Sequence, residues 1–466
     1  MSIESTSIVN GDVHTDNTGR TTGVPLLLVR NEVLQPALVY CLARAHDRSV
    51  VWMRKVLSAL QLFIHYMLAN REQCDTHLLF VNFSQRLYTG SFDPTTGLDT
   101  ASLCWRPMDG GEARNVIGRL SDFFDWLGAR SSTEAINPPF HGGRFDQMIR
   151  DAAYRFRRDR TMLGYTWATT GPTGRLVLPA PVIQKYSEDP PAFPESKFFD
   201  LLFDGFRVGK RRDYRSILAT LLCNGAGLRP SEPMHLFFED VVPDPSDPES
   251  ALVFIHHPSY GTAPPAWTRE YPERHGANRA AYLSEQWGRI PRQKYLTSER
   301  SGWKGGAHER ALKGFAFRCC WFPPQYGRLF LSVWYRYLEE VTGIERDSPY
   351  AFVNMTRGEI GTPYKLGKFG SAHARAVRRI GLQVSKEAGT TGHGHRHAYG
   401  RRLKRANVSA NGIQRAMHHR GVESQEVYTQ SSSTELLAEL EAGALKLQSA
   451  ADIAFSERAL KFAAEL

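Results

Sequence analysis

The segment from Thr390 to Gln430 concentrates side chains that can do chemistry. Its histidines are His393, His395, His397, His418 and His419, arginines lie between them, and Tyr428 stands near its end. Imidazole can bind a metal or relay protons near neutral pH, guanidinium binds phosphate, and a phenol can act as a nucleophile. The segment could therefore form a metal site, a nucleic-acid-binding surface or a phosphoryl-transfer centre.

A metal site fits the pattern poorly. His393 and His397 have the i, i+4 spacing that two ligands on one helix require, but Arg396 directly precedes His397 and would repel a divalent cation. The segment has no HExxH glutamate, and none of the six cysteines forms a CxxC pair. We therefore expect neither a metal nor a nucleotide cofactor.

The composition favours a polyanionic partner. The chain has 466 residues with a formal net charge of +10, and its 42% hydrophobic and 23% charged residues are typical of a globular protein. Neutralising phosphates releases counterions, so a basic surface binds nucleic acid in a salt-sensitive way. A pair of DNA-binding helices with incidental histidines would explain the charge, but it would not explain the order of the histidines, arginines and tyrosine.

Phosphoryl transfer explains that order better. A phosphodiester gains charge on its non-bridging oxygens in the transition state, and two arginines can hold those oxygens through paired hydrogen bonds. Histidines can relay protons, and a tyrosine can form a covalent phosphoester that conserves the bond energy for rejoining. Such a centre also needs an arginine from elsewhere in the chain and a general acid for the leaving oxygen.

The remaining parts of the chain supply both in a familiar order. The segment GAGLRPSEPMHLFFEDV, with Arg229 and Glu232, resembles the first arginine box of the tyrosine recombinases and phage integrases, and HGHR from His393 to Arg396 resembles their HxxR box. IQRAMHH ending at His419 is similar to the box of the third histidine, and Tyr428 follows at the interval that the family shows. WKGGAHER, with Lys304, resembles the β-hairpin that carries the family's lysine.

This resemblance implies a role for each residue. Arg229 and Arg396 would hold the scissile phosphate, and Tyr428 would attack it to leave a 3′-phosphotyrosine and a free 5′-hydroxyl. Lys304 would protonate the leaving oxygen, His393 would assist proton transfer at the tyrosine, and His419 would bind a non-bridging oxygen. Glu232 would support the structure around Arg229. The implied function is site-specific DNA recombination or integration.

Two features depart from the family pattern. The interval between Arg229 and Lys304 is unusually long, so Lys294 and Lys313 are alternatives for the general acid. The excess falls in an insertion near 258–300, for which the sequence offers no physical account. The glycine that usually precedes the third histidine is replaced by His418, which could compete with His419 for its role. His395 and His397 match no family position and are interpreted as histidines that either support the site residues from behind or pack in the interior.

Helical patterns frame these motifs. Met53, Val56, Leu57 and Leu60 recur at helical spacing, as do Val116, Leu120 and Phe123, while ALVFIHHPSY and GFAFRCCWF read as strands. We predict a mainly α protein with a small antiparallel β-sheet (α+β), forming a two-domain clamp around DNA. The predicted parts are a mobile tail (1–30), a helical core-binding domain (31–165), a proline-rich linker (166–195), a catalytic domain (196–435) and a C-terminal helical segment (436–466).

Two arginine-rich helices are candidates for contacting DNA. One carries Arg155, Arg157 and Arg158, although a solvated helix face would look the same; the other carries Arg375, Arg378 and Arg379. The leucine stripe after Tyr428 could close the chain's own core or dock onto a neighbouring copy.

The expected partner is double-stranded DNA, bound by a homo-oligomer with a dimer on each site and a tetramer in the synapse. No apolar run is long enough to span a membrane, and we expect a cytoplasmic, nucleoid-associated bacterial protein. A type IB topoisomerase, a telomere resolvase and an inactive DNA-binding protein of the same fold remain alternatives.

Overall fold

A computed structural model divides the chain into two compact units, Met1–Tyr186 and Ser187–Leu466, each described separately below. The boundary falls in the segment whose prolines predicted a linker. The structure describes residues 6–17, 21–73, 75–131, 135–138, 144–160, 175, 177, 191–209, 211–270, 276–309, 312, 315–355, 358–419, 440–441, 443, 457–459, 461–462 and 464–465.

The described part of unit 1 begins with an antiparallel sheet of three strands and continues with five α-helices. The strands are β1 (Thr6–His14), β2 (Thr21–Val29) and β3 (Glu32–Val33), paired in that order; the helices are α1 (Gln35–Ala43), α2 (Val50–Ala69), α3 (Thr76–Thr89), α4 (Gly110–Ser131) and α5 (Arg144–Arg160). The apolar stripes predicted for α2 and α4 lie in one shared core that includes Leu57 and Leu120. Side-chain oxygens of Ser49 and Asp75 cap the first turns of α2 and α3.

The described residues 6–17 and 21–30 differ from the mobile tail that the composition of residues 1–30 predicted. Strands β1 and β2 pair along their full length, from Thr6 opposite Val29 to His14 opposite Thr21. Val24 and Leu27 are almost fully buried in the unit 1 core. The asparagine, aspartate and glycine residues suggested coil, but burying the aliphatic side chains of β2 outweighs those local preferences.

The described part of unit 2 contains eight α-helices and five strands. They are α6 (Phe198–Asp200), β4 (Arg207–Val208), β5 (Arg211–Arg212), α7 (Tyr214–Gly225), β6 (Val241–Asp244), β7 (Asp247–His256), α8 (Pro265–Glu270), α9 (Arg279–Trp287), β8 (Ala316–Arg318), α10 (Gln325–Val341), α11 (Leu366–Arg379), α12 (Gly392–Arg405) and α13 (Ala410–Ala416). Strand β4 pairs antiparallel with β5, and a second antiparallel sheet has the order β6-β7-β8. The prediction of a mainly α fold with a small antiparallel sheet is confirmed, and the described residues of the two units together form three such sheets.

Helix α7 forms the centre of unit 2. Every residue from Arg215 to Gly225 is buried, and the helix packs against α10 and α12. Asp213 accepts the backbone N–H of Ser216 and caps its N-terminus. Because α7 has no solvated face, the turn at its C-terminal end is held between the elements that carry the arginine and histidine motifs.

The described residues of the insertion near 258–300 (258–270 and 276–300) pack into unit 2. Helices α8 and α9 bury Trp267 and Leu283 against Phe237 and Tyr350. Arg292, which is 1% exposed, donates to the carbonyls of Met234, Glu299 and Tyr364 at 2.8, 3.1 and 2.9 Å. Since breaking such buried contacts is costly, this segment is anchored directly behind the turn that follows Arg229.

Part of the C-terminal segment packs on unit 2 of the same chain. Phe462 is buried and stacks on Phe203 with ring centroids 3.9 Å apart, and Leu440 lies in a small cluster with Leu403. Leu437 and Leu447 of the predicted leucine stripe lie outside the described residues.

Candidate active site in unit 2

Arg229 is held by the turn that ends α7. Gly227 has φ +68°, a conformation that glycine tolerates best, and a Cβ there would lie 2.4 Å from the Tyr399 ring. Glu232, 1% exposed, accepts both the backbone N–H and the guanidinium of Arg229 at 2.7 Å. The same guanidinium donates to the carbonyl of Gly305 at 3.1 Å. These contacts fix Arg229 while leaving its side chain partly accessible.

Arg396 reaches the same turn from α12. Its guanidinium donates to the carbonyl of Gly227, and to that of Met417 at 2.6 Å. Burial, followed by the positive charge of Arg229, lowers the pKa of Arg396 to about 10. Two guanidiniums are thus held near one another with one buried carboxylate, Glu232, beside them. That arrangement favours binding of an anion.

His393 and His419 lie beside the two arginines as neutral imidazoles. Burial, then the charges of Arg396 and Arg229, lower the pKa of His419 to about 4. The pKa of His393 is also lowered, chiefly by burial and then by the charge of Lys304. Both rings are therefore uncharged at neutral pH, so they can accept or donate a proton without adding repulsion to the arginines.

Lys304 lies in the loop that also contacts Arg229. Its side chain is exposed, the carbonyl of the next residue accepts from Arg229, and its charge acts on His393. Lys294 is in the short turn Arg292–Lys294 of the insertion, and Lys313 lies outside the described residues. Lys304 remains our proposal for the general acid.

His418 occupies the position before His419 where the family pattern has a glycine. It has φ +53°, the left-handed backbone that glycine adopts most easily, and its ring is buried on Phe317 with centroids 3.8 Å apart. Its carbonyl accepts the backbone N–H of Ala307 at 3.3 Å. His418 therefore packs the lysine loop against this part of the site, whereas His419 is only half-buried.

A buried polar layer, which the sequence did not reveal, fixes α12 behind the site. Asn224 Nδ2 donates to His395 Nδ1 at 3.1 Å, and Nε2 of His395 lies 2.7 Å from Nε2 of His373. Arg402 donates to Glu195 at 2.7 Å and to Asn224 at 2.8 Å. His395 thus packs in the interior, as interpreted from the sequence. The partners of these side chains are distant in sequence, so spacing alone could not identify them.

Tyr428 lies outside the described residues. The structure therefore places five of the six predicted catalytic residues. Arg229, His393, Arg396 and His419 lie at the end of α7, on α12 and in the turn after α13, and the hydrogen bonds and charge interactions given above link them. Lys304 is linked to them through the carbonyl of Gly305 and through its charge effect on His393.

The predicted DNA-binding arginines lie on two separate helices. On α11 of unit 2, Arg375 and Arg378 are exposed, and Arg379 donates to the carbonyls of Gly205 and Arg207. On α5 of unit 1, Arg155 is exposed and Arg158 pairs with Asp159 at 3.1 Å. The side chain of Arg157 is outside the described residues.

Neither a metal cluster nor a membrane helix is found in the described part of the chain. No group of three or more histidine, cysteine, aspartate or glutamate side chains there could hold a metal ion. No helix among those residues is long and apolar enough to cross a membrane.

Comparison with known proteins gives matches in structure only. No family model and no curated protein matches the sequence. XerH site-specific recombinase bound to difH substrate is 12% identical, with 87% of this chain and 84% of that chain covered and a TM-score of 0.45. The integrase of mycobacterium phage Brujita is 12% identical (87% and 91% covered, TM-score 0.29), and the Tn1549 transposon integrase in complex with transposon right end DNA is 14% identical (84% and 99% covered, TM-score 0.32). At these values the residue geometry remains the basis for assigning a function.

Proposed function

We propose that this protein is a site-specific DNA recombinase or integrase that cleaves and rejoins strands through a 3′-phosphotyrosine. The observation that carries the proposal is the pair formed by Arg229 and Arg396, held around the Gly227 turn with two neutral histidines beside them. Two fixed guanidiniums match the two non-bridging oxygens of a phosphodiester. The order of the sequence motifs adds Tyr428 as the nucleophile.

The proposed cleavage step balances without a cofactor. The phenol oxygen of Tyr428 attacks phosphorus, its proton passes toward His393, and the bond between phosphorus and the 5′-oxygen breaks. The ammonium of Lys304 gives a proton to that leaving oxygen. Rejoining is the reverse attack by a 5′-hydroxyl of the same or another strand, so the number of phosphodiester bonds is conserved and no ATP is needed.

The arginines would contribute mainly by stabilising charge. Loss of one well-placed donor to a developing oxyanion costs about 10²–10³-fold in rate in other enzymes, and we expect a similar loss for Arg229→Lys or Arg396→Lys. His419, neutral in the free protein, would donate its ring N–H to a non-bridging oxygen. The guanidiniums supply the charge stabilisation that a metal provides in other phosphoryl-transfer centres.

The same proposal includes the surface that meets DNA. Arg375 and Arg378 on α11 and Arg155 on α5 are exposed and could neutralise backbone phosphates. Strand exchange needs two sites in one assembly, so we propose a dimer on each site and a tetramer in the synapse.

The test uses three readouts on one protein preparation. Nicked duplexes with a randomised core are incubated with the full chain in EDTA, and covalent protein–DNA adducts are selected on a denaturing gel. The selected sequence is then placed once or twice in a supercoiled plasmid. The proposal predicts a covalent adduct on the nicked duplex, and it predicts recombinant products only from the plasmid with two sites. Relaxation of the one-site plasmid without exchange would indicate a topoisomerase instead, and salt-sensitive binding without an adduct would indicate an inactive DNA-binding protein.

A further inference from the structure

Two large aromatic side chains stand side by side on the surface of unit 2. Tyr260 is 57% exposed and Phe315 is 55% exposed, with ring centroids 6.2 Å apart and planes at 56°. They lie at the two ends of the long excursion that leaves β7 and returns to β8. We call this pair the aromatic ledge. A single exposed aromatic ring is ordinary, whereas an adjacent pair forms a surface that can bind a flat ligand.

The turn that presents Tyr260 is firmly built. The Nδ1 atom of His257 accepts the backbone N–H groups of Ser259 and Tyr260 at 3.1 and 3.0 Å. The His257 ring also stacks on the Tyr260 ring, with centroids 4.7 Å apart. A Cβ at Gly261 would lie 2.6 Å from the carbonyl oxygen of His257, so the turn is closed around a glycine. Tyr260 is thus held outward by a defined local structure.

Phe315 is presented by a strained backbone. Its φ is +55°, which is unusual for a residue with a bulky side chain. Its carbonyl accepts the backbone N–H of His257 at 2.8 Å, which ties the two ends of the excursion together. Residues in such conformations are often retained at functional sites because the surrounding structure supports them.

The ledge packs against the loop that carries Lys304. The His257 ring packs edge-on against Trp303, with centroids 5.7 Å apart, and Trp303 adjoins Lys304. The His308 ring, four residues beyond Lys304, packs edge-on against Phe315 at 5.5 Å. The ledge therefore meets the loop that carries the proposed general acid in two places, directly at His308 and through the His257 ring at Trp303.

From this geometry we propose that the ledge stacks on a nucleobase of the DNA next to the scissile phosphate, on the side of the leaving 5′-oxygen. The inference rests on the proposed function, since Lys304 identifies that side. An aromatic side chain stacked on an exposed base strengthens binding by roughly 5- to 150-fold, and every base offers a π-face. A base next to a broken strand loses a neighbour and can turn outward most easily. The insertion would then serve to hold Tyr260 against the DNA.

The experiment compares Tyr260→Ala with Tyr335→Ala. Tyr335 is 49% exposed on α10 and serves as a matched surface aromatic outside the ledge. DNA affinity and cleavage are measured on the selected nicked duplex, and on versions with one abasic nucleotide at each position beside the cleaved phosphate. Thermal unfolding checks that both variants fold.

The proposal predicts a specific pattern of losses. Tyr260→Ala should bind the selected nicked duplex, with all its bases present, roughly 5- to 150-fold more weakly, while Tyr335→Ala should match the original protein. An abasic nucleotide at one position on the 5′-hydroxyl side should lower the DNA affinity of the original protein by the same factor. It should cause no further loss of affinity in Tyr260→Ala. Equal affinities for all three proteins, or additive losses at every abasic position, would overturn the ledge as a base-stacking surface. If Tyr260→Ala still forms the covalent adduct while showing no stacking effect, only this inference fails; if the original protein forms no adduct, the proposed function itself fails.

Discussion

The Gly227 turn gives the sharpest structural prediction, because three parts of the candidate site meet there. Gly227 has a left-handed backbone, its carbonyl accepts from Arg396, and a Cβ would press into the buried Tyr399 ring. Gly227→Ala therefore adds a left-handed alanine, costing about 1–2 kcal/mol, and overpacking of about 1–3 kcal/mol. We expect unit 2 to lose about 2–5 kcal/mol of unfolding free energy in total.

Gly209→Ala provides a matched control. Gly209 has φ +63° but no atom within 4 Å of the position of an added Cβ. The control should therefore show only the backbone cost of about 1–2 kcal/mol. The difference between the two variants isolates the contact with Tyr399.

Hydrogen-exchange mass spectrometry on the full chain would measure this difference in place. Amides of α7 and α12 should lose more protection in Gly227→Ala than in Gly209→Ala. Adduct formation, assayed where both variants are folded, should fall by about 10²-fold in Gly227→Ala, because a shift of about 1 Å in a positioning group can cost that much. Equal protection and equal cleavage in the two variants would refute the claim that this turn positions both arginines.

Three further predictions concern charge, pH and backbone conformation. Glu232→Gln removes the negative charge that orients Arg229, so the rate of cleavage should fall about 10- to 100-fold. Single-turnover adduct formation measures this rate, and an unchanged rate would contradict the supporting role of Glu232. Burial lowers the pKa of His235 to about 3 and that of His373 to about 4, so below pH 6.5 the unfolded chain binds protons on these rings while the folded chain does not. The free energy of unfolding should therefore fall by about 2 kcal/mol per histidine between pH 7 and pH 5, measured by urea titration. A flat profile would contradict the buried neutral rings. His418→Val should destabilise unit 2 by more than His418→Gly, since a β-branched residue resists φ +53°, and the reverse order of melting temperatures would contradict that backbone assignment.

The sequence predicted best those features that depend on local pattern. The stripe on α2 follows from helical spacing of apolar residues, and Leu57 and Leu60 are buried as expected. The resemblance implied one site for Arg229, Arg396 and His419; in the structure the charges of Arg396 and Arg229 act on His419, and the catalytic roles of the three residues stay predictions.

Features that depend on distant partners could not be predicted in this way. The pairing of β1 with β2 is decided by burial of Val24 and Leu27 beneath helices that come later in the chain. The need for glycine at Gly227 comes from Tyr399, which is remote in sequence. The sequence of the insertion shows no periodicity and no motif that would place it. Arg292 is held by backbone carbonyls, and because any residue type can supply a carbonyl, its partners leave no mark in the sequence.

The most direct test of the central claim is to identify the amino acid that carries the DNA. The covalent adduct would be trapped on a nicked duplex, digested with nuclease and protease, and analysed by tandem mass spectrometry for a peptide bearing a 3′-linked nucleotide. The account predicts that the modified residue is Tyr428 and that Tyr428→Phe gives no adduct although it still binds the duplex. A nucleotide on any other residue, or an adduct that persists in Tyr428→Phe, would contradict it.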